Sequence, residues 1–304
     1  MSVQIVLQQM IVIVALVCLG MGMYRKKYID DKMTEKLSAI VVDVCNPLLC
    51  LSCGLEAGVS ASHHDIAIGF VIAVFVYAFL LVCGFVVPKL CGIPRGNQKF
   101  YNMMLVYGNI GFIGIPVAKA VLPPEAMIYV IILNILFSVV FYTHGVLVMG
   151  SKGDFHFKIS PGIVCSLLTI LIFWFDISLP GILSQTILYI GNATTFLSMA
   201  LLGCSFAVAS VKTLLSDWRM YLFAGIKMLV LPMGLGYLLK VFGMDETMIQ
   251  AFVLLIAMPA ANMPLMLAKQ VGEETKVLTQ GILLTTLMTP VSLTLVSLVV
   301  NTTF

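Results

Sequence analysis

GNIGFIGIPVAKAV, residues 108–121, puts glycine, asparagine and proline in the middle of an apolar segment long enough to span a bilayer. AMPAANMPLMLAKQV, residues 257–271, has the same feature in the second half of the chain. Pro116 and Pro264 each remove a backbone donor and crowd the preceding turn, so we expect a helix to break there. Lipid cannot satisfy the polar groups that a break sets free. One interrupted span in each half is typical of transporters built from two repeats.

The composition is that of a membrane protein. Of the 304 residues, 61% are hydrophobic and only 10% are charged, and the mean hydropathy is +1.08. A soluble domain would have about a quarter of its residues charged. The Lys and Arg residues form no basic stripe, so a nucleic-acid partner is not predicted. We therefore predict an all-α polytopic membrane protein without a large soluble domain.

Apolar runs of roughly 20 residues predict ten transmembrane helices. Five precede the polar loop 151–158 and five follow it. Because five is odd, the second half must enter the membrane from the opposite side, which predicts two five-helix inverted repeats, 1–150 and 151–304. The predicted spans are 3–24, 37–55, 66–87, 101–121, 126–149, 162–175, 185–210, 220–239, 248–267 and 276–300.

The distribution of basic residues predicts the orientation. Fourteen of the seventeen Lys and Arg residues lie in or beside loops that follow odd-numbered spans. Cytoplasmic loops carry such an excess, so we predict a multi-pass protein of the plasma or inner cell membrane with both termini extracytoplasmic. The first apolar run has no basic residue before it and no cleavage site after it, which favours a retained span over a signal peptide.

The two interrupted spans, four and nine, are the predicted substrate site. Half-helix ends and free amides would form a polar centre there without charged side chains, and such a centre suits an anion. The alternative is that the glycines serve close helix packing and that the proline of span four only kinks it. The predicted substrate-binding residues are Asn109, Gly111, Gly114, Pro116, Asn134, Pro259, Asn262 and Pro264.

A carboxylate in the middle of span two is the candidate for ion coupling. The Asp43 carboxyl group at that depth costs free energy unless it is protonated, paired with a cation or facing water. It could carry a proton, or it could be a hydrogen-bonded side chain that fixes span two. Lys227, within span eight, is a candidate partner. Further polar candidates within the spans are His144, which we rank below Asn134, and Gln280 and Thr285.

The chain has no pattern of a known catalytic site. GxSxG, HExxH, a P-loop and suitably spaced carboxylate pairs are all missing from the sequence, so we predict neither an enzyme nor a bound cofactor. His63, His64 and Asp65 lack further spaced ligands, so no metal site is predicted. The remaining classes of membrane protein are a facilitator and a gradient-driven carrier.

The GNxGFxGxP pattern in span four and the AxPAANxPLxLAK pattern in span nine, within ten spans, resemble the auxin efflux carrier family in its short prokaryotic form. The related bile acid–sodium symporter group has similar broken helices. The resemblance implies that helices four and nine cross at the substrate site. It also implies a scaffold from helices 1, 2, 6 and 7, a transport core from helices 3–5 and 8–10, an elevator-type motion and a homodimer.

The function implied by the resemblance is secondary transport of a small organic anion. The substrate would be a monocarboxylate or dicarboxylate, such as an auxin-like acid. Coupling to H⁺ or Na⁺ stays open, because the core spans lack the acidic residues of a sodium cage although carbonyls and asparagines can bind Na⁺. Two alternatives remain: a Na⁺-coupled symporter, and a membrane-embedded sensor or receptor on the same fold.

Overall fold

A computed structural model of the chain describes residues 3–53, 55, 62–150, 161–175, 177–208 and 217–303. This part of the chain is helical, with no strand and one isolated β-bridge. The predicted loop 151–158 lies outside the described residues. The helices are α1 (Val3–Arg25), α2 (Asp31–Cys53), α3 (His63–Leu90), α4 (Gln98–Val106), α5 (Ile115–Val121), α6 (Pro124–Val148), α7 (Pro161–Phe175), α8 (Gly181–Val208), α9 (Trp218–Val241), α10 (Glu246–Ile256), α11 (Met263–Gln270) and α12 (Lys276–Thr303).

Seven of these helices are long and apolar enough to cross a membrane, namely α1, α2, α3, α6, α8, α9 and α12. Three shorter apolar helices are Ile110–Val121, Pro161–Phe175 and Glu246–Ile256. The first and third of these belong to predicted spans four and nine and are short because each span is interrupted. The protein is therefore an all-α multi-pass membrane protein, and the count of ten spans stays a prediction.

The contacts divide the chain into two units. The first consists of Met1–Phe70, Gly111–Ile135 and Ile159–Ala209, and the second of Val71–Ile110, Leu136–Lys158 and Ser210–Phe304. Helices α1, α2, α5, α7 and α8 thus belong to the first unit, and α4 and α9 to α12 belong to the second. Helices α3 and α6 contribute to both.

In the first unit, α1 and α8 approach so closely that their backbones touch. A Cβ atom added to Gly20 would overlap the backbone of Ala200, and one added to Gly203 would overlap the backbone of Val17. Within a membrane, small residues allow helices to gain packing energy at short separation, where no hydrophobic force favours their association. These two glycines are therefore packing residues.

The Gly20→Ala variant should be measurably less stable than the wild type. Its new methyl group would meet the α8 backbone, which cannot rotate away, and such overpacking costs about 1–3 kcal/mol. Gly22→Ala is the matched control, because a Cβ there has nothing within 4 Å. Thermal unfolding in detergent should show a lower Tm for Gly20→Ala and no loss for Gly22→Ala. Equal Tm values in both variants would contradict the close packing.

Contacts within each unit agree with spans that cross the membrane in alternating directions. In the second unit, Lys99 Nζ lies 2.6 Å from Glu273 Oε1, joining the predicted loops after spans three and nine. In the first unit, His63 Nε2 lies 3.0 Å from the carbonyl oxygen of Trp174, joining the loop after span two to the end of span six. Alternating spans place the two partners of each pair on the same side of the membrane.

Candidate substrate site

Both predicted stretches leave the helical conformation. Helix α4 ends at Val106, and residues 107–109 are non-helical before the chain resumes as a π-helical turn, Ile110–Gly114, that leads into α5. Helix α10 ends at Ile256, and residues 257–262 are non-helical before α11 begins at Met263. The interruptions of spans four and nine are therefore present in the structure.

The prolines expected to cause the breaks do not lie in them. Pro116 is in the first turn of α5, and Pro264 is the second residue of α11. Proline is well accommodated in the first turn of α11, because the N–H groups of a first turn have no partner within the helix. The breaks therefore fall in or next to the two predicted stretches, upstream of these two prolines. Pro264 lies at the start of the second half-helix of span nine, whereas Pro116 follows the π-helical turn that begins the second half-helix of span four. Of the three prolines predicted to bind substrate, only Pro259 lies within a break.

The two breaks pair with each other inside the second unit. Gly108 and Ala260 form an antiparallel bridge. The N–H of Asn109 donates to the carbonyl of Pro259 at 2.7 Å, and the N–H of Ala261 donates to the carbonyl of Tyr107 at 2.9 Å. Backbone groups that leave a helix at membrane depth need protein partners, and here each break supplies them to the other.

Two side chains from other helices bind the break of span nine. Lys227, in a π-helical turn of α9, donates from Nζ to the carbonyl of Met258 at 3.0 Å. The N–H of Ala260 donates to Thr285 Oγ1 of α12 at 3.1 Å, and the Thr285 hydroxyl donates to the carbonyl of Gly281 at 2.7 Å. Four successive residues, 258–261, are thus held by partners outside their own segment.

The asparagines at the breaks differ in their surroundings. Asn109 is buried and contributes its backbone N–H to the pairing. Asn262 is half-buried at the last position before α11, and its carbonyl accepts the N–H of Met266 at 3.1 Å. Within the described part of the chain, the Asn262 side chain makes no hydrogen bond. Its amide can therefore donate to a ligand oxygen beside the N-terminal end of α11.

Three predicted site residues follow the break of span four in the first unit. A Cβ at Gly111 would lie 3.0 Å from Asn46 Nδ2, so this glycine packs against α2. Gly114 is buried at the end of the π-helical turn, and Pro116 is half-buried in α5. The carbonyl of Phe112, within the turn, accepts the Ser198 hydroxyl at 3.2 Å. The Gly111 contact is the close packing that the alternative predicted.

Asn134 and Asp43 also belong to the first unit. Asn134 is buried, and its Nδ2 lies 3.3 Å from Ser166 Oγ and 3.5 Å from Cys50 Sγ. This amide therefore links α6 to α7 and α2. Asp43 lies in a π-helical turn of α2, Val41–Cys45, and is exposed.

Of the eight predicted binding residues, the structure joins Asn109 directly to Pro259, with Asn262 and Pro264 following along the chain. Sequence reasoning considered Lys227 only as a partner of Asp43, although the two residues belong to different units. It did not select Tyr107, whose hydroxyl lies 3.0 Å from both the Val140 carbonyl and His144 Nδ1. The signal for Lys227 was its position as a charged residue in the middle of an apolar span.

A multi-pass helical protein whose interrupted spans pair at their breaks has the architecture of a membrane transporter. A family model described as membrane transport protein matches residues 5–159, just over half of the chain. The chain belongs to this family, the auxin efflux carrier family that its motifs resemble. Comparison with curated proteins finds no match.

Proposed function

We propose that the protein is a secondary carrier of small organic anions, mono- or dicarboxylates, which bind at the paired breaks of spans four and nine. The observation that carries this proposal is the Asn262 amide, which has no protein partner in the described chain and stands next to the N-terminal end of α11. A carboxylate accepts hydrogen bonds from such an amide and is favoured by the positive end of a helix.

For the architecture we propose ten spans in two inverted repeats, 1–150 and 151–304, with interrupted helices in each. One interrupted span in each half, at residues 107–109 and 257–262, supports this division. We further propose an elevator-type motion of a core from helices 3–5 and 8–10 against a scaffold from helices 1, 2, 6 and 7. A homodimer in the plasma or inner membrane, with both termini extracytoplasmic, completes the proposal.

Ligand binding and flux together test the carrier proposal. Purified protein in detergent would be heated with a panel of carboxylates, amino acids and sugars, and each stabilising compound would then be measured for flux into proteoliposomes. We expect carboxylates to raise the Tm and to cross the bilayer. Binding without flux would favour the sensor alternative. Flux that requires a Na⁺ gradient would favour the symporter, and stabilisation by sugars or amino acids alone would contradict the substrate class.

The Asp43→Asn variant tests proton coupling. If Asp43 carries the coupling proton, the variant should still exchange substrate across the bilayer but should lose accumulation driven by a pH gradient, because an amide cannot bind and release that proton. Glu35→Gln, an exposed residue of the same helix, is the control for loss of one acidic group. Unchanged pH-driven accumulation in Asp43→Asn would give Asp43 a structural role.

A further inference from the structure

Lys227 is a buried lysine of the second unit that the carrier proposal leaves without a role. It lies in the π-helical turn Ile226–Val230, between the two α-helical parts of α9, and only 2% of its surface is exposed. An ammonium group in the middle of a membrane span is expensive and marks a functional site by default.

The hydrogen bonding of Lys227 leaves its charge available to a ligand. Its Nζ donates to the carbonyl of Met258 at 3.0 Å, whereas an ammonium has three donors. Among the described residues, no carboxylate lies within 4.0 Å of it. No carboxylate of this part of the protein therefore stabilises the charged form of Lys227, and an anionic ligand beside Nζ would favour that form.

The acceptor itself is of a kind that binds cations. Met258 lies in the unwound segment just beyond the end of α10, so its carbonyl oxygen is outside the hydrogen-bond ladder of that helix. In carriers with interrupted helices, such carbonyls coordinate the coupling cation. The next carbonyl along the chain, that of Pro259, is occupied by the N–H of Asn109.

We propose that Lys227 is the built-in cation of the paired breaks. Its ammonium lies beside the Met258 carbonyl, where a metal cation would otherwise bind, and its charge selects a carboxylate at the paired breaks without Na⁺. The proposal rests on the proposed function, because it identifies how the same site recognises an anion. In this proposal Lys227 determines substrate specificity and does not serve to hold α9 in place.

The first measurement uses the unaltered protein, so it does not depend on whether a variant folds. Malonate, succinate and indole-3-acetate would each be compared with the corresponding uncharged amide by thermal unfolding, in NaCl and in choline chloride. We expect the carboxylates to stabilise the protein equally in both salts and the amides to have no effect. Equal stabilisation by acids and amides, or stabilisation that requires Na⁺, would overturn the proposal.

The second measurement removes the charge. Lys227→Met keeps an unbranched side chain that is one atom shorter and uncharged. In this variant we expect the apparent affinity for the best carboxylate to fall by about tenfold or more, because a charge-assisted contact is lost. Lys227→Arg should retain more of the affinity than Lys227→Met. Lys240→Met, an exposed lysine of the same helix, is the matched control and should bind as the wild type does.

The outcomes separate this proposal from the carrier function. If no carboxylate binds the wild type, the carrier proposal fails, and the role of Lys227 fails with it. If a carboxylate binds and is transported equally by the wild type and Lys227→Met, the carrier proposal stands and the built-in cation is refuted. A loss in Lys227→Met alone, with Lys240→Met unaffected, supports both.

Discussion

The Asn262→Ala variant should lose most of its carboxylate uptake while remaining folded in the membrane. Asn262 offers the half-buried amide that no described protein group uses, so its removal breaks no hydrogen bond of its side chain within the described fold. A hydrogen bond to a charged ligand contributes about 1.5–3 kcal/mol, which corresponds to a loss of about ten- to a hundredfold in affinity. Initial uptake rates in proteoliposomes, normalised to the amount of folded protein, would measure the effect.

Asn97→Ala provides the comparison for this variant. Asn97 is also half-buried, but it lies in the turn before α4, away from the residues of the breaks along the chain. We expect uptake by Asn97→Ala to match the wild type and Tm values to be similar in all three proteins. Wild-type uptake by Asn262→Ala would exclude this amide as a substrate ligand. A large drop in its Tm would instead show that the amide stabilises the fold.

The existence of the two breaks could be predicted from sequence because it follows from composition within a local window. Glycine, asparagine and proline in the middle of an apolar run are incompatible with an uninterrupted spanning helix, whatever surrounds it. The position of each break was less accessible. Pro264 suits the first turn of α11 and marks where that helix begins, whereas Pro116 lies beyond the π-helical turn with which span four resumes. The unwinding occurs upstream of both prolines, at residues 107–109 and 257–262.

The partners of the breaks could not be predicted, because they are distant in sequence. Lys227 and Thr285 bind neighbouring residues of span nine from helices α9 and α12, and no periodicity in their own helices indicates this. Thr285 was selected only as a polar residue within an apolar span. For Lys227, the cost of a charge at that depth indicated a role but left the choice of partner open.

For Asn134, the sequence predicted a binding role, whereas the structure shows hydrogen bonds to neighbouring helices. Asn134 was predicted to line the substrate site because it lies near the centre of span five and would be close to the break of span four if the two spans packed together. The structure gives its amide partners in α2 and α7 of the first unit, Cys50 and Ser166. Hydrogen bonds between helices are the other common use of asparagine in membranes, and sequence alone does not distinguish the two. Its part in binding stays a prediction.

Thr285→Val should destabilise the protein and impair uptake together. The substitution keeps the shape of the side chain but removes the oxygen that accepts the N–H of Ala260 at 3.1 Å. A buried N–H without a partner costs about 1–3 kcal/mol, and at membrane depth no water replaces the lost acceptor. Because Ala260 also forms the bridge to Gly108, the pairing of the breaks should loosen. We expect a lower Tm and weaker carboxylate binding.

The Thr289→Val variant distinguishes the effect of losing the acceptor for the Ala260 N–H from the effect of losing a buried hydroxyl group in general. Thr289 lies one turn further along α12, is equally enclosed, and donates to the carbonyl of Thr285 at 2.9 Å without accepting from a break. Its replacement should leave carboxylate affinity near the wild-type value, since a hydroxyl that returns to its own helix contributes little. If both variants lost affinity equally, the Ala260 contact would have no special role. A loss confined to Thr285→Val would make the alignment of the two breaks a condition for binding the anion.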